Sequence, residues 1–395
     1  MGNIAKRPDG RWRARYRDNA NKEHARHFDR KIDAQRWLDS VTTAVQTGLY
    51  IDPSKGKVTI ADWAKRWFDG QAHLKPSTRE RYAGILREHV LPRWSNAQLI
   101  EVTHADIQAW VSALTATRSP ATVRKIHRVL ALVLKAAVKD GRLARNPAAE
   151  INLPRPTSSE HRYLTHEQVD ALAKECATPP AERSKHGPGE DTWNDDYRLV
   201  ILFLAYTGCR WGEMTALRVG NVDFLRRRAR LVEAVTLVRG VQTWGTLKGH
   251  ERREVPLPPF LVEELATHVI GKQPEELFFT ATKGGPLRSQ VFQRAVLTRA
   301  AASAGLDHFH PHELRHTAAS LAIASGADIK VVQQMLGHKS ATMTLDLYGH
   351  LFEHRLDEVA TATDAARSRG LLADSLRTDG KLINLSTYND GSAAQ

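Results

Sequence analysis

Cysteine is almost absent from this chain of 395 residues: only Cys176 and Cys209 occur. Two thiols so far apart exclude a disulfide framework and a zinc ribbon, and they suit a reducing cytoplasm. Long apolar runs are lacking too. The longest, at 199–206, is too short to cross a bilayer and reads as a buried helix, so no membrane partner is expected. The stretch from Met1 to Arg7 has no apolar core, and no signal peptide is expected there. A phosphate loop is missing: Gly284 and Gly285, between Lys283 and Pro286, make only a turn. No carboxylate cluster has metal-ligand spacing, and no unit repeats at solenoid spacing.

Negative charge is the scarcer sign. There are 57 Lys and Arg against 44 Asp and Glu, a formal net charge of +13. Each cation set on a phosphate releases counterions, so the balance favours a polyanion as partner without deciding it. The length favours two or three domains.

Residues 1–55 are compact and basic. Alternation puts Trp12, Ala14 and Tyr16 on one face and Arg11, Arg13 and Arg15 on the other. Turns at 8–10 and 19–21 divide short strands, and 33–47 carries Ala34, Trp37, Leu38, Val41 and Ala44 at helical spacing. A small three-stranded sheet plus one helix is expected, its arginine face suited to DNA. Residues 50–56 read as a linker.

Residues 57–153 read as four helices. Thr59 begins the first, Lys75 and Pro76 the second, Thr103 the third, and Ser119 with Pro120 the fourth, which Gly141 ends. Lys75, Arg79, Arg124 and Lys125 lie near helix starts and could clamp a duplex, although an ordinary bundle also carries charged surfaces. A Pro- and Ser-rich stretch, 152–160, is a second linker. Thr165 and Gln168 make a capping box that opens a third domain, 160–372, mostly helical with a small antiparallel sheet. Strands are expected near 222–224, 229–238, 245–248 and 253–257, and helices near 259–269, 288–305, 312–324, 328–336 and 341–351. Residues 181–195 read as an exposed loop, and 373–395 as a loose tail or docking segment. The fold class is multidomain α+β.

The chemistry gathers in the third domain. Thr207, Gly208, Cys209, Arg210, Trp211, Gly212 and Glu213 form one signal. Further on come His312, Arg315 and His316, then Gly337 and His338, then Tyr348 ten residues after His338. Arginine stays charged and donates two parallel hydrogen bonds, so Arg210 and Arg315 suit the non-bridging oxygens of a phosphodiester. A phenol with an ordinary pKa near 10 is a poor nucleophile at neutral pH. Nearby cations lower that value and a neutral histidine accepts the proton, which points to His312 as base. The departing oxygen needs a proton, and Lys248 supplies one if it sits on a hairpin tip. Lys272 and Lys283 also lie in turns. His338 is a hydrogen-bond donor to the phosphate, and Tyr348 the nucleophile, whose covalent attachment conserves the energy of the broken bond. No metal and no cofactor is needed. The histidines at 308, 310, 312 and 316 do not make a convincing zinc site, since Pro311 interrupts them and Arg315 repels a cation. Cys209 has no partners for a thiol nucleophile.

These motifs, in this order, resemble those of the tyrosine recombinase, or phage integrase, family. The helical segment is similar to the family's core-binding domain, and the first segment to the arm-binding domain of actinobacterial-type integrases. The resemblance implies that Arg210 and Arg315 clamp the phosphate, Lys248 is general acid, His312 acid/base, His338 the second histidine and Tyr348 the nucleophile. Glu213 would support Arg210. Glu313 stands where aspartate is commoner. The family's activity would be site-specific recombination of double-stranded DNA at core and arm sites. A homotetramer would act through a 3′-phosphotyrosyl intermediate and a Holliday junction, integrating and excising a phage or mobile element. A host bending factor and an excisionase are possible partners. A type IB topoisomerase-like or chromosome- and plasmid-resolving enzyme is the alternative, and a non-catalytic DNA-binding regulator is the alternative of another class.

Overall fold

The computed structural model describes residues 2–17, 22–46, 55–156, 162–179, 196–247 and 252–378. The turn at 19–21, most of the linker at 50–56, the loop at 181–195, Lys248 and the last seventeen residues, 379–395, therefore lie outside the described residues. The chain divides into two compact units, one formed mainly by Met1–Ser159 and the other by Glu160–Leu237 with Gln242–Gln395.

In the first unit, β1 (Asn3–Lys6), β2 (Trp12–Arg17) and β3 (Glu23–Phe28) form an antiparallel sheet in sequence order, followed by α1 (Lys31–Gln46). The alternation along β2 holds. Ala14 and Tyr16 are buried with Ala34 and Leu38, and Trp12 packs beside them. Arg13, Arg15 and Arg17 approach Glu23 from the other face at 3.7, 3.7 and 4.0 Å.

The helical part has a separate core. It comprises α2 (Ile60–Asp69), α3 (Pro76–Ile85), α4 (Leu91–Trp94), α5 (His104–Thr115) and α6 (Pro120–Lys139). A π turn, Leu86–Val90, joins α3 to α4 just before Pro92, whose ring and missing N–H do not fit a regular helix interior. Thr103 caps α5 through a reciprocal bond with Asp106. Along α6, Val123, Ile126, Leu130, Val133, Leu134 and Ala137 form the buried stripe. Trp63 Nε1 donates to the Val133 carbonyl at 3.0 Å, satisfying its polar atom inside this core.

The second unit opens with the Thr165–Gln168 capping box and α7 (His166–Ala177). Apolar α8 (Asp196–Thr207) lies at the centre of its core, followed by the single turn α9 (Trp211–Met214). Two small sheets follow. β4 (Val222–Asp223), β5 (Arg228–Leu231) and β8 (Arg253–Pro256) make one, and β6 (Glu233–Val238) with β7 (Val241–Thr246) makes the other. The remaining helices are α10 (Pro259–His268), α11 (Ser289–Phe292), α12 (Thr298–Ser303), α13 (Pro311–Ala324), α14 (Ile329–Leu336), α15 (Ala341–Tyr348) and α16 (Leu356–Thr378).

Three expectations need correction. The strand expected at 229–238 breaks at Val232, and its halves join different sheets. As a result, among the described residues the two strands that flank the expected hairpin are not partners: β7 pairs with β6, and β8 pairs with β5. Alternation fixes which face a residue occupies, not which strand lies beside it. Residues 373–378, expected in a loose tail or docking segment, are helical, because α16 continues to Thr378.

Candidate active site

The pocket is built where helices end. α8 stops at Gly208, which adopts φ +63°. A Cβ there would lie 2.8 Å from Leu336 Cδ2 and 3.2 Å from Ala318 Cβ, so glycine meets both the backbone and the packing requirement. The turn places Arg210 at the N-cap of α9, where its backbone N–H donates to Glu213 Oε2 at 2.8 Å and its Nη1 to Oε1 at 2.9 Å. α14 also ends on a left-handed glycine, Gly337 at φ +65°, and hands on directly to His338.

Arg315 is buried on α13, with 4% of its surface exposed. Its Nη1 donates to the Gly208 carbonyl at 2.7 Å and its Nη2 to the Leu336 carbonyl at 2.6 Å. Two helix-end carbonyls therefore aim the guanidinium. Burial lowers the Arg315 pKa to about 10, and the charges of Arg210 and Arg253 lower it in the same direction. It remains charged at neutral pH.

Tyr348, the last residue of α15, is 1% exposed. Its hydroxyl bonds to His316 Nδ1 at 2.9 Å. The ring of His338 lies parallel at 6.5 Å, and that of Tyr163 meets it edge-on at 6.5 Å. Adjacent cations were expected to lower the phenol pKa. Burial instead raises it to about 12 and outweighs the opposing effect of Arg315. Without DNA the Tyr348 phenol is therefore held protonated at neutral pH.

His338 Nδ1 bonds to the buried Thr344 hydroxyl at 3.0 Å, which fixes the ring and turns Nε2 away from that contact. Burial lowers its pKa to about 4, with Arg315, Arg210, Arg253 and His312 adding to the shift, so the free protein holds it neutral at physiological pH. His312 is exposed in the first turn of α13, its ring 5.1 Å from that of His316.

Two residues that the sequence reading did not single out for the pocket belong to it. His316 is the histidine bonded to the phenol, and its signal was its place four residues after His312 on the same helical face. Arg253 holds Glu213, and its signal was the alternation Arg253, Val255, Leu257, which puts it on the inward face of β8. Arg210, Glu213, Arg315, His338 and Tyr348 come together as the spacing suggested. Arg210, Arg252, Arg253, Lys330, His338 and Lys339 line a cavity of about 290 Å³ whose charge is strongly positive. That setting suits a phosphate.

The residues expected to hold DNA in the first unit are placed as follows. Arg11 pairs with Asp29 at 3.4 Å, and Arg13 and Arg15 share Glu23. Lys75 caps α3, and Arg79 stacks over Phe68 at 5.0 Å. Arg124 and Lys125 are exposed on α6 beside Arg128, and Arg124 donates to the Pro154 carbonyl.

Comparison with known proteins gives the family and the fold. The model of the phage integrase family matches residues 162–355, that of the phage integrase N-terminal domain residues 1–47, and that of the phage integrase N-terminal SAM-like domain residues 59–115. The chain belongs to the phage integrase family. It is 25% identical over 379 residues to the integrase of Mycobacterium phage L5, covering 91% of this chain and 96% of that one. Among solved structures, the Tn1549 transposon integrase in complex with circular intermediate DNA has a TM-score of 0.59 at 19% identity, covering 74% of this chain and 95% of that one. A lambda integrase dimer bound to a COC′ core site has a TM-score of 0.54 at 20% identity, covering 87% and 94%. These two likenesses concern the fold, which is mixed helix and small antiparallel sheet as expected.

Proposed function

We propose that this chain is a site-specific tyrosine recombinase that cuts and rejoins double-stranded DNA to integrate and excise a phage or mobile element. The observation that carries the reading is Tyr348. Its buried phenol is bonded to His316, feels the charge of Arg315 and lies parallel to the ring of His338, which with Arg210 lines the positively charged cavity.

Arg210 and Arg315 bind the non-bridging oxygens of the scissile phosphate and offset the charge that grows as a fifth oxygen approaches phosphorus. The Tyr348 oxygen attacks, forming the phosphotyrosyl bond as the bond to the 5′ oxygen breaks. The phenolic proton passes to a histidine, with His316 already bonded to it and His312 beside that ring. Lys248, or another cation of the segment between β7 and β8, protonates the departing 5′ oxygen. His338, neutral and anchored by Thr344, donates from its other nitrogen to the phosphate. Attack by a 5′ hydroxyl from a second duplex reverses these steps, so no external energy source is required.

The three family matches support a division of labour: 1–55 for arm-type sites, 57–153 for core sites and 160–372 for catalysis. Assembly as a tetramer on a Holliday junction, with host bending and excision factors, completes the reading.

Tyr348→Phe removes the attacking oxygen. The variant binds its core duplex nearly as wild type does and forms no covalent adduct on a nicked suicide duplex. Persistence of the adduct would reject Tyr348 as nucleophile.

A further inference from the structure

Arg253 has no assigned part in the reaction, yet it is more firmly held than the arginine it adjoins. Each of its side-chain nitrogens donates to a protein acceptor. Nη1 and Nη2 reach Glu213 Oε1 and Oε2 at 3.1 and 2.6 Å, and Nε reaches the Met335 carbonyl at 3.0 Å. The Arg253 side chain is 11% exposed and that of Glu213 is 2% exposed. A Cβ at Gly337 would stand 3.0 Å from Arg253 Cδ and Nε, so the guanidinium stem passes tightly beneath the end of α14.

Glu213 has two partners of unequal grip. Arg253 holds both oxygens in a fork, whereas the Arg210 side chain meets Oε1 alone. Burial by itself would raise the Glu213 pKa; the hydrogen bonds and charge of Arg253, then the backbone N–H and charge of Arg210, hold it at about 2. A carboxylate on a single turn of helix needs such a fork to stay in one orientation, because its terminal torsion is broad. The side chain of Arg210 has Glu213 as its hydrogen-bond partner, so the direction of its guanidinium depends on where that carboxylate is held.

We infer that Arg253 is a positioning residue for strand cleavage: it locks the Glu213 carboxylate and thereby aims Arg210 at the scissile phosphate. The inference rests on the cleavage chemistry proposed above. Arg253 itself acts through Glu213. Its anchor at Met335 ties this alignment to the helix end that also orients Arg315 and precedes His338.

The test uses the full chain and single-turnover cleavage of two nicked suicide duplexes. One has an ordinary scissile phosphodiester, the other a methylphosphonate. The methylphosphonate is neutral and gains little from a guanidinium pair. Arg253→Lys keeps the charge but cannot reach both Glu213 oxygens and Met335 together. With its fold verified by circular dichroism, it binds the ordinary duplex within about twofold of wild type and cleaves it about 10- to 100-fold more slowly, as a displaced catalytic group does. On the methylphosphonate the difference shrinks to within about threefold. Glu213→Asp, which keeps both charges and retracts the carboxylate, is a second variant and shows the same dependence on substrate. The double variant is no slower than the slower single one, because both act on one interaction. Unchanged cleavage by folded Arg253→Lys, equal slowing on both duplexes, or defects that multiply would each overturn the inference while leaving the cleavage chemistry in place. A wild-type protein that forms no adduct overturns both.

Discussion

Arg124, Lys125 and Arg128 stand exposed on α6, whereas Arg253 and Arg315 are drawn into the second unit and Arg210 stands partly inside it. An exposed cation keeps its water and contributes to DNA binding through charge and counterion release, with little demand on direction. A buried cation loses that water and must be met by acceptors. The acceptors are specific: helix-end carbonyls for Arg315, Glu213 and Met335 for Arg253. The difference teaches that burial here serves orientation, and that the two groups of cations should fail differently when altered.

The largest effect is expected in the pocket. In Arg315→Lys, one ammonium cannot serve the Gly208 and Leu336 carbonyls and a phosphate together, so cleavage falls about 100- to 1000-fold while duplex binding weakens less than tenfold. Equal losses in both measurements would erase the contrast with α6. Replacing Arg124, Lys125 and Arg128 together by alanine should do the opposite. Cleavage at saturating protein is retained, and the slope of log affinity against log salt becomes shallower by about 2–3 units. An unchanged slope would remove α6 from the DNA surface.

Gly208→Ala probes the scaffold beneath the buried group. The left-handed backbone and the 2.8 Å approach to Leu336 predict a stability loss of about 1–3 kcal/mol in denaturant titrations of the full chain. No loss would mean that the helix end relaxes freely.

The smallest effect concerns pH. The pKa of His338 is lowered from 6.5 to about 4 in the fold, so between those values the unfolded chain binds more protons than the folded one. Stability contributed by neutral His338 is present above pH 6.5 and declines as the pH falls toward 4. Glu213, at about 2 against 4.5, adds a further decline between 4.5 and 2. His338→Asn should flatten the first slope only. An identical pH dependence of the thermal midpoint in both proteins would argue against a half-buried neutral His338.

Much of this was legible in the chain. The Thr103 and Thr165 capping boxes and the buried stripe of α6 depend on short-range stereochemistry, and the structure places them as the pattern suggests. The alternation of β2 is also kept. The order of Arg210, Arg315, His338 and Tyr348 marked the pocket because each brings a chemistry seldom needed elsewhere. Less legible were interactions between distant segments. The spacing points to His312, whereas His316 meets the phenol, and the alternation that turns Arg253 inward does not say which carboxylate it meets.

The sequence by itself determined the division into a basic sheet, a helical bundle and a mixed region that carries the candidate reacting groups, because composition, caps and periodicity are local. Tertiary structure alone decided the pairing of β8, the partnership of Arg253 with Glu213, the contact of His316 with Tyr348 and the upward shift of the phenol. The physical reason is common to all four. Each depends on which distant groups exclude water together, and burial outweighs nearby charge only once the chain has closed around the site.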